Sequence, residues 1–543
     1  MKIRFVTLGC KLNFAESSAI GKALLDRGHT RAKQGEEADI CVINTCSVTD
    51  NADHKDRQAI HRIYRQNPNA IIIVTGCYAQ LQPDQIAQIE GVDYVLGQNE
   101  KYSITQLVDE IERLRDSLED ASLQNAAKAA TERSQGELLD IGDEAMRRKG
   151  DEAMRRKGKI HVCAIREVEE FHGAYSKDDR TRCFLKVQDG CNYFCSYCTI
   201  PYARGKSRNP RISEVVANAQ QALAEGAKEI VLTGVNIGDF GRSTGESFID
   251  LLKALDRLET PMRQAARNLN KSFGNDSDCI ATAPPFGNIP NATAESSVNE
   301  AKGERREGEE ETKNYLVNDN IDNIPLESTS SSGQDMKSKS TGYRIRISSC
   351  EPNLLTDEII DFVAASKHFA PHFHIPLQSG NNEVLKIMGR RYTRELFAER
   401  VKHIKEVMPH AFIGVDCMVG VRGETEAYWE DYLAFIKELD VSQLHVFTYS
   451  ERANTRMLDM DLYVVPKAER QRRSKILHEV SEEKMRAFYA QHAGRRSVVL
   501  WESKKEGDQM AGFTDNYIKV HRPYDKAKIN TFEKVVVGVE CRV

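Results

Sequence analysis

Short apolar segments alternate with amphipathic helical segments along the first hundred residues of the chain. Residues 16–27 place apolar side chains at helical spacing and end at Gly28, which predicts a helix with a glycine stop. The apolar segments are short and rich in β-branched residues, so they predict buried strands of a parallel sheet in an α/β domain. The predicted strands are 3–8, 39–44, 70–75 and 92–96.

The same alternation returns in residues 180–258 and 343–465, where helical stretches separate apolar strand segments. Six successive strand–helix units predict an open, partial (β/α)6 barrel, in which the loops after the strands form the functional site. The predicted strands of this barrel are 183–188, 229–236, 344–349, 373–377, 412–418 and 444–449.

The end of the chain has a different pattern. Residues 466–492 predict a charged amphipathic linker helix, and the short strands within residues 493–543 predict a small β-barrel. From residue 495 onward, ten Lys and Arg stand against seven Asp and Glu, a balance of +3 in a chain that is acidic as a whole. The predicted strands of this barrel are 497–501, 510–514, 517–521 and 532–539.

Two segments interrupt these patterns. Residues 114–162 hold a perfect tandem repeat, at 142–149 and 150–157, whose simplest interpretation is a charged surface segment duplicated without function. Residues 261–342 are rich in Asn, Ser, Glu, Lys and Gly, so they cannot bury enough apolar surface to offset their chain entropy, which predicts a disordered insertion. The predicted organisation is domain 1–113, insertion 114–162, barrel 163–465 interrupted at 261–342, linker 466–492 and terminal domain 493–543.

Charge and hydropathy narrow the classes of protein that remain. The 543 residues carry a formal charge of −5, which argues against a general nucleic-acid coat but leaves room for a local basic surface. No apolar run approaches the ~18 residues of a membrane span, and the N-terminus resembles a strand and not a signal peptide. We therefore expect a cytoplasmic protein without a membrane partner. In that reducing compartment, clusters among the 13 cysteines indicate metal or redox chemistry.

Three cysteines share one short loop directly after a predicted strand. Cys191, Cys195 and Cys198 have the spacing Cys-x3-Cys-x2-Cys. Three thiolates can hold three irons of a cubane cluster, and the fourth iron then stays open to an outside ligand. A structural zinc site prefers four closed ligands, and electron-transfer clusters usually take four cysteines. The spacing therefore favours an iron–sulfur cluster that binds a substrate; a zinc knuckle with a distant fourth ligand is the alternative.

Three more cysteines each follow a different predicted strand. Cys10, Cys46 and Cys77 lie one or two residues beyond strands of the first domain. Because the carboxyl ends of parallel strands share one edge of the sheet, where ligands bind, the three thiols are expected to converge. Three unrelated buried cysteines are the alternative, since free Cys behaves as a small hydrophobe. Core or incidental positions are predicted for Cys41, Cys163, Cys183, Cys279, Cys350, Cys417 and Cys541.

The motifs around the two triads resemble those of the methylthiotransferase family of radical S-adenosylmethionine (SAM) enzymes. The resemblance covers residues 1–105, 180–258 and 343–543, and the tail resembles the RNA-binding TRAM domain. It rests on the segments Thr-Leu-Gly-Cys-Lys-Leu-Asn, Ile-Asn-Thr-Cys, Val-Thr-Gly-Cys-Tyr-Ala-Gln, Cys-Thr-Ile-Pro-Tyr-Ala-Arg-Gly and His-Ile-Pro-Leu-Gln-Ser-Gly. The resemblance implies two [4Fe-4S] clusters, SAM as cofactor, a tRNA substrate, an electron donor and a sulfur source.

The resemblance also implies a division of labour between the triads. The cluster on Cys191, Cys195 and Cys198 would bind SAM and pass it one electron, which gives a 5′-deoxyadenosyl radical. The cluster on the other three cysteines would hold the sulfur that is inserted at C2 of an adenine, and a second SAM would supply the methyl group. An unactivated C2–H offers no acidic proton to a side-chain base, so radical chemistry suits this position.

One short segment indicates the branch of the family. Gly9-Cys10-Lys11-Leu12-Asn13 resembles the members that act on N6-threonylcarbamoyladenosine at tRNA position 37. Enzymes for isopentenyladenosine usually carry Gln-Met-Asn after this cysteine, and the branch that modifies a ribosomal protein usually carries Pro-Lys-Asn. Residues 445–450 favour the first branch as well. Both other branches, and a non-catalytic iron–sulfur RNA-binding protein, remain as alternatives.

Supporting residues follow from the same resemblance and from position on the strands. Contacts to SAM are predicted for Tyr197, Gly234, Asn236, Ser348, Glu351 and Gln378, with Arg346 and His374 nearby. Ordinary barrel residues are the alternative for each. Phosphate contacts are predicted for Arg204, Lys206 and Arg208, with a solvated loop as the alternative. Base stacking is predicted for Phe513, Tyr517 and Tyr524, with core packing as the alternative for Phe513.

Overall fold

A computed structural model describes residues 1–33, 35–117, 158–176, 181–259 and 342–538. The tandem repeat at 142–157 lies outside these ranges, as do nearly all of the predicted disordered insertion and the cysteines Cys279 and Cys541. No helix within the described ranges combines the length and the apolar character that a membrane span requires.

The first domain is built on a six-stranded parallel sheet. Its strands are β1 (Lys2–Thr7), β2 (Thr30–Arg31), β3 (Ile40–Thr45), β4 (Ile71–Gly76), β5 (Tyr94–Leu96) and β6 (Lys159–His161), in the order β2-β1-β3-β4-β5-β6. The helices Lys11–Leu25, Asp50–Gln66, Cys77–Leu81 and Pro83–Ala87 connect them, and a further helical stretch covers 104–117. The α/β class and all four predicted strands are confirmed.

The predicted insertion 114–162 extends too far. Strand β6 lies inside it, yet its residues pair in parallel with β5, Tyr94 opposite Lys159 and Leu96 opposite His161. Strand β6 is only three residues long and begins with a charged lysine, so its sequence does not predict a strand. Only its backbone pairing with β5 identifies it as an edge strand.

The second domain is the predicted partial barrel of parallel strands. Its first half contains β7 (Arg182–Lys186), β8 (Glu229–Thr233) and β9 (Arg344–Ile347), and its second half β10 (His372–Gln378), β11 (Phe412–Val419) and β12 (Gln443–Thr448). A parallel bridge between Ser349 and His374 joins the halves. The surrounding helices are Ile200–Arg204, Ile212–Ala224, Phe248–Leu255, Asp357–Ala365, Asn382–Ile387, Arg394–Val407 and Glu426–Glu438.

Side chains alternate along the barrel strands. Ile345 and Ile347 of β9 join the apolar core shared with the outer helices, whereas Arg344 and Arg346 between them are buried polar residues. This period of two assigns the apolar set to the helix layer and the polar set to the lumen of the barrel. The lumen therefore carries charge, which an ordinary packed barrel interior lacks.

The linker helix Lys467–Gln491 leads into a four-stranded antiparallel sheet. Its strands are β13 (Arg496–Glu506), β14 (Gln509–Phe513), β15 (Lys519–Pro523) and β16 (Phe532–Val536), in the order β15-β14-β13-β16. Trp501, Met510 and Ile518 form its core together with Phe488 of the helix. The strands and the linker are as predicted; closure of the sheet into a TRAM-like barrel stays a prediction.

The terminal sheet covers the end of the barrel where its strands begin. Arg344 donates hydrogen bonds to the carbonyl oxygens of Val498 and Phe513, at 3.3 and 3.1 Å. Arg346 donates to those of Asp515 and Thr514, at 3.2 and 3.4 Å. Both arginines lie near the start of β9, so the terminal domain closes the end of the lumen opposite the strand ends that carry the functional loops.

Candidate functional site

The structure places Cys10, Cys46 and Cys77 at one edge of the first sheet. Strands β3 and β4 are neighbours, and Thr45 pairs with Gly76, so the cysteines that follow these two residues are adjacent. Strand β1 lies on the other side of β3, with Thr7 opposite Asn44, which brings the loop of Cys10 to the same edge. Shared strand polarity thus brings together thiols that are far apart in the sequence.

Two glycines make this approach possible. A Cβ atom on Gly9 would lie 2.5 Å from Cβ and 2.8 Å from Sγ of Cys46, and one on Gly76 would lie 2.3 Å from the carbonyl oxygen of Thr45. Both glycines adopt positive φ, 90° and 103°, a region that costs other residues energy. A side chain at either position would push the three loops apart.

Asn13 ties the loops of Cys10 and Cys46 to each other. Its amide nitrogen donates to the carbonyl oxygens of Leu8 and Thr45, at 2.9 and 3.0 Å. Its amide oxygen faces the thiol of Cys10 at 3.8 Å. Asn13 is fully buried, so these loops have no water to replace its bonds. Sequence reasoning quoted Asn13 within the motif but assigned it no function.

Burial and local charge act on these thiols in opposite directions. Burial raises the pKa of Cys46, and the neighbouring thiols of Cys77 and Cys10 raise it further. Burial also raises the pKa of Cys77, but Arg204 and Lys101 oppose this rise. A metal ligand must be deprotonated, so metal binding here would release protons.

Helix N-termini favour negative charge at two of the three positions. Cys10 is the N-cap of the helix Lys11–Leu25, and Cys77 is the first residue of Cys77–Leu81. The unpaired N–H groups at a helix N-terminus stabilise a nearby thiolate.

The second triad lies on the loop between β7 and the helix Ile200–Arg204. The backbone N–H of Tyr193 points at Sγ of Cys191 (3.4 Å), and the N–H of Cys198 bonds the carbonyl oxygen of Cys195 (3.0 Å). Phe194, inside the loop, adopts a left-handed φ of 50°. Such backbone strain in a residue other than glycine concentrates at functional sites.

The thiols of this loop are also partly desolvated. Burial, together with the neighbouring thiol of Cys195, raises the pKa of Cys191 to about 11 and that of Cys198 to about 12. Burial likewise raises the pKa of Cys195, against the positive charge of Arg390.

Arg390 is the main residue of this site that sequence reasoning missed. One guanidinium nitrogen lies 3.2 Å from Sγ of Cys195 and 3.4 Å from the hydroxyl of Tyr197, and another bonds the carboxylate of Glu351. The available signal was the segment Met-Gly-Arg-Arg-Tyr after the helix Asn382–Ile387, where a glycine with positive φ precedes two arginines.

The predicted SAM contacts lie around the same loop and at the ends of the barrel strands. Tyr197 and Glu351 contact Arg390, as described above. Gly234 follows β8, and a Cβ there would lie 2.9 Å from the carbonyl oxygen of Gln188. Ser348 is buried after β9. Gln378 ends β10 at a register shift and has a φ of 65°.

Buried polar atoms without hydrogen-bond partners lie close to Cys191. Within the described residues, the side-chain polar atoms of Asn236 and the amide oxygen of Asn353 have no hydrogen-bond partner, whereas the carboxylate of Asp239 pairs with Arg242 at 2.6 Å. The Nδ2 of Asn353 donates to the hydroxyl of Tyr193 at 2.9 Å, which places it beside the loop. Native proteins rarely leave such atoms unpaired, so this set fits a polar ligand such as the amino-acid part of SAM.

The two cysteine loops touch each other. The hydroxyl of Thr199, next to Cys198, donates to the carbonyl oxygen of Ser47, next to Cys46, at 3.3 Å. On the far side, Arg452 of the barrel donates to the hydroxyl of Ser47 and to the carboxylate of Asp53, both at 2.7 Å. These hydrogen bonds join the first domain to the barrel next to both cysteine loops.

A buried network of charges lies beneath the interface. Arg204 bonds the carboxylates of Glu16 (3.1 Å) and Asp189 (3.0 Å) and the amide oxygen of Asn13 (2.6 Å). Lys186 also bridges the two acids, at 2.9 and 2.8 Å. Burial would raise the pKa of Glu16, but the adjacent cations hold it well below its ordinary value.

This network corrects the prediction of phosphate contacts. Arg204 is 1% exposed, and Arg208 is buried as well, with its guanidinium bonded to Asp189 at 3.0 Å. Neither can reach RNA from this position; of the three predicted residues only Lys206 is exposed. Arg204 pairs with Glu16 of the first domain and Asp189 of the barrel, and Arg208 pairs with Asp189. Such partners cannot be identified from positions along the sequence.

The aromatic residues of the terminal domain also need correction. Phe513 and Tyr517 stack on each other at 4.8 Å and face the barrel, where Arg182 lies over the ring of Phe513 and bonds the hydroxyl of Tyr517. These contacts make them packing residues at the domain boundary. Tyr524 is 37% exposed and remains available to a base.

Within the described residues, no three metal-binding side chains converge on a point that suits a single metal ion. Cys41, Cys183, Cys350 and Cys417 are free and buried, in agreement with their predicted core positions.

Comparisons with known proteins define the class. Residues 2–97 match the family described as uncharacterized protein family UPF0004, and residues 305–436 match the radical SAM superfamily. The second match defines the chain as a radical SAM enzyme.

More specific relatives span nearly the whole chain. It is 32% identical to the threonylcarbamoyladenosine tRNA methylthiotransferase MtaB of Bacillus subtilis, over 95% of this chain and 89% of that protein. It is 25% identical to the tRNA-2-methylthio-N(6)-dimethylallyladenosine synthase of Staphylococcus haemolyticus, over 94% and 77%. The chain belongs to the methylthiotransferase family of radical SAM enzymes, whose cofactors are SAM and [4Fe-4S] clusters.

A solved structure with a related arrangement is the radical SAM methyltransferase TsrM from Kitasatospora setae. It is 13% identical and has a TM-score of 0.46, over 99% of this chain and 88% of that one.

Proposed function

We propose that this enzyme methylthiolates tRNA, converting N6-threonylcarbamoyladenosine at position 37 into its 2-methylthio derivative. The contact between Thr199 and Ser47 carries the proposal, because it holds the two three-cysteine loops against each other, as an enzyme that acts on one adenine with both clusters requires. The substrate is supported by relatives from Bacillus subtilis and Aquifex aeolicus, both named as threonylcarbamoyladenosine tRNA methylthiotransferases.

The six cysteines hold the two clusters in this proposal. Cys10, Cys46 and Cys77 would hold one cluster, which would supply the sulfur that is transferred. The other cluster, which binds SAM, is held by Cys191, Cys195 and Cys198. The shared edge of β1, β3 and β4 and the strained loop around Phe194 support the two assignments.

The bound clusters and SAM supply the radical that activates the adenine C2–H, together with the sulfur and methyl groups. This chain's own residues position the reactants and exclude water, which protects a radical from side reactions. No side-chain base is assigned, because the C2–H has no acidic proton. Thr199 and Ser47, which join the two cysteine loops, are both buried.

Several barrel residues hold SAM in this proposal. The unpaired polar atoms of Asn236 and Asn353 bind its amino-acid part, and Gly234 leaves room beside Gln188. Arg390 fixes Glu351 and Tyr197 against the loop of Cys195. Ser348 and Gln378 lie at neighbouring strand ends, where superfamily ligands bind.

The remaining partners follow from the reaction. The terminal domain 493–543, TRAM-like in its sequence, binds the tRNA in this proposal, with Tyr524 as an exposed contact. Lys206 of the barrel is a second exposed contact. Domain 1–113 carries the sulfur-donating cluster. An electron donor and a sulfur source complete the cycle, and a tRNA substrate places the enzyme in the cytoplasm.

Mass spectrometry of tRNA nucleosides from a deletion strain tests the proposal. We expect the 2-methylthio mark on threonylcarbamoyladenosine to disappear and to return when the wild-type gene is restored. Complementation with Cys195→Ala, or with Cys46→Ala, should fail, whereas Cys41→Ala, a buried cysteine outside both loops, should restore the mark. A nucleoside profile that does not change on deletion would reject the substrate.

The same experiment separates the alternatives. Loss of the mark from isopentenyladenosine alone would assign the enzyme to that branch, and loss of thiomethylation from a ribosomal protein would assign it to the protein-modifying branch. Anaerobic incubation with SAM and a strong reductant addresses the non-catalytic alternative, because an iron–sulfur RNA-binding protein would form no 5′-deoxyadenosine.

A further inference from the structure

The side chain of Gln98 contacts one of the six candidate cluster ligands. Its amide nitrogen lies 3.5 Å from Sγ of Cys77, and both residues are buried, at 2% and 3% exposed. Gln98 stands just beyond β5, the strand that neighbours β4 in the sheet. Its backbone N–H donates to the amide oxygen of Gln80 at 2.8 Å, which holds this loop in place. An amide N–H therefore reaches the thiol of Cys77 from the end of the adjacent strand.

Lys101 determines which end of the Gln98 amide faces this thiol. Its ammonium donates to the amide oxygen of Gln98 at 2.5 Å and lies 2.6 Å from the carboxylate of Glu16. An ammonium group can only donate hydrogen bonds, so the amide oxygen must lie on the side of Lys101. The amide nitrogen is then left to donate to Sγ of Cys77. Lys101 is 1% exposed, so water does not compete for these bonds.

Lys101 belongs to a buried network that holds more cations than anions. Among the described residues, four buried cations of this network pair with only two carboxylates, those of Glu16 and Asp189. The four cations are Lys101, Lys186, Arg204 and Arg208. Excess buried charge is costly unless a counter-charge lies nearby. A four-iron cluster on three thiolates supplies one, because the thiolates outweigh the positive charge of the iron–sulfur core.

We propose that Gln98, oriented by Lys101, raises the reduction potential of the sulfur-donating cluster. A hydrogen bond to a ligand sulfur and a nearby positive charge both stabilise the form of a cluster that carries one more electron. Gln98 supplies the hydrogen bond, and the network around Lys101 supplies the charge. Lys101 acts through Gln98 and is therefore a positioning residue. The inference rests on the proposed function, because it requires that Cys77 is a ligand of that cluster.

The test measures the reduction potential of this cluster in the full chain. The parent protein has Cys191, Cys195 and Cys198 replaced by Ala, so that anaerobic reconstitution should load one cluster, about four irons per chain. Electron paramagnetic resonance of samples poised at a series of potentials gives the ratio of reduced to oxidised cluster. Gln98→Met keeps the length of the side chain but lacks the N–H, and it should lower this ratio about tenfold at a fixed potential, a shift of about 59 mV for one electron. Gln98→Glu sets a carboxylate oxygen against Sγ of Cys77 and should lower the ratio further.

Three further variants separate this effect from a structural role. Lys101→Met should lower the ratio in the same direction, whereas Lys101→Arg should keep it near that of the parent, and this pair decides the case if Gln98→Met takes up no iron. Gln88→Met, exposed at the end of the helix Pro83–Ala87, should leave the ratio unchanged. Equal potentials in the parent and Gln98→Met, or in Lys101→Met and Lys101→Arg, overturn the inference. If the parent itself binds no iron, the assignment of a cluster to Cys77 fails, and the proposed function fails with it.

Discussion

The guanidinium of Arg204 lies 3.1 Å from the carboxylate of Glu16, although 188 residues separate them in the sequence. Arg204 stands six residues after Cys198, and Glu16 stands six residues after Cys10. One buried ion pair therefore links the loops of the two candidate clusters, so the sites cannot shift independently of each other. Four predictions follow from this and from three other contacts.

Replacing Arg204 should destabilise the whole chain. Arg204→Ala leaves Glu16 and Asp189 buried with fewer counter-charges, which costs about 3–5 kcal/mol. Arg204→Lys keeps the charge but loses the planar guanidinium, so its free energy of unfolding should lie between those of Arg204→Ala and the wild type. Urea unfolding measures the loss. Lys206→Ala, an exposed neighbour, serves as control and should stay within about 0.5 kcal/mol of wild type; an equal effect of both variants would contradict the role of the ion pair.

Replacing Asn13 should empty one cluster site and spare the other. Asn13→Asp removes the two donated bonds to Leu8 and Thr45 and sets a carboxylate against their carbonyl oxygens. Iron content after anaerobic reconstitution should fall from about eight to about four atoms per chain, as one of two cubanes is lost. Asn51→Asp, exposed in the same domain, should keep the full content. If Asn13→Asp still bound the full amount of iron, the hydrogen bonds of Asn13 would not be needed to hold the loops of Cys10 and Cys46.

Arg390 should control SAM cleavage. Arg390→Ala removes the charged contact to Cys195 and frees Glu351, and it should slow 5′-deoxyadenosine formation under reducing, anaerobic conditions about 10- to 100-fold. Arg390→Lys should recover part of the rate. Lys402→Ala, 77% exposed on an outer helix, is the matched control. Rates equal to wild type in Arg390→Ala would exclude a role for this contact in cleavage.

The contact between barrel and terminal domain should weaken in acid. Burial by itself would raise the pKa of Glu229, but Arg344 and Arg346 hold it well below the ordinary value of 4.5. The carboxylate therefore stabilises the fold above pH 4.5, and this contribution is lost as the pH falls below that value. Urea unfolding of cluster-free protein, followed by tryptophan fluorescence, should show Glu229→Gln less stable than wild type at pH 7.

The difference in free energy of unfolding between wild type and Glu229→Gln should then narrow as the pH is lowered from 4.5 toward 3, because Glu229 of the unfolded chain takes up a proton in this range while the native carboxylate stays ionised. A gap that stays constant over this range would mean that the ion pair contributes nothing that depends on charge.

Much of the fold was predictable from the local pattern of apolar and polar residues. The alternation of apolar strands with amphipathic helices is fixed by hydrophobic burial and backbone geometry, which act over a few residues. The convergence of Cys10, Cys46 and Cys77 was predictable too, because parallel strands place their carboxyl ends on one edge. The edge strand β6 was not, since its three residues become a strand only by pairing with β5.

The sequence by itself determined the α/β layers and the three-cysteine loop, which depend on local spacing, and the edge where the other thiols meet, which depends on the shared direction of parallel strands. The tertiary structure alone decided which charges are buried together. Arg204 is predicted from sequence to contact phosphate or to lie in a solvated loop, yet it is buried against acids of both domains. Electrostatic interactions depend on distance in space and on desolvation, and neither can be read from positions along the chain.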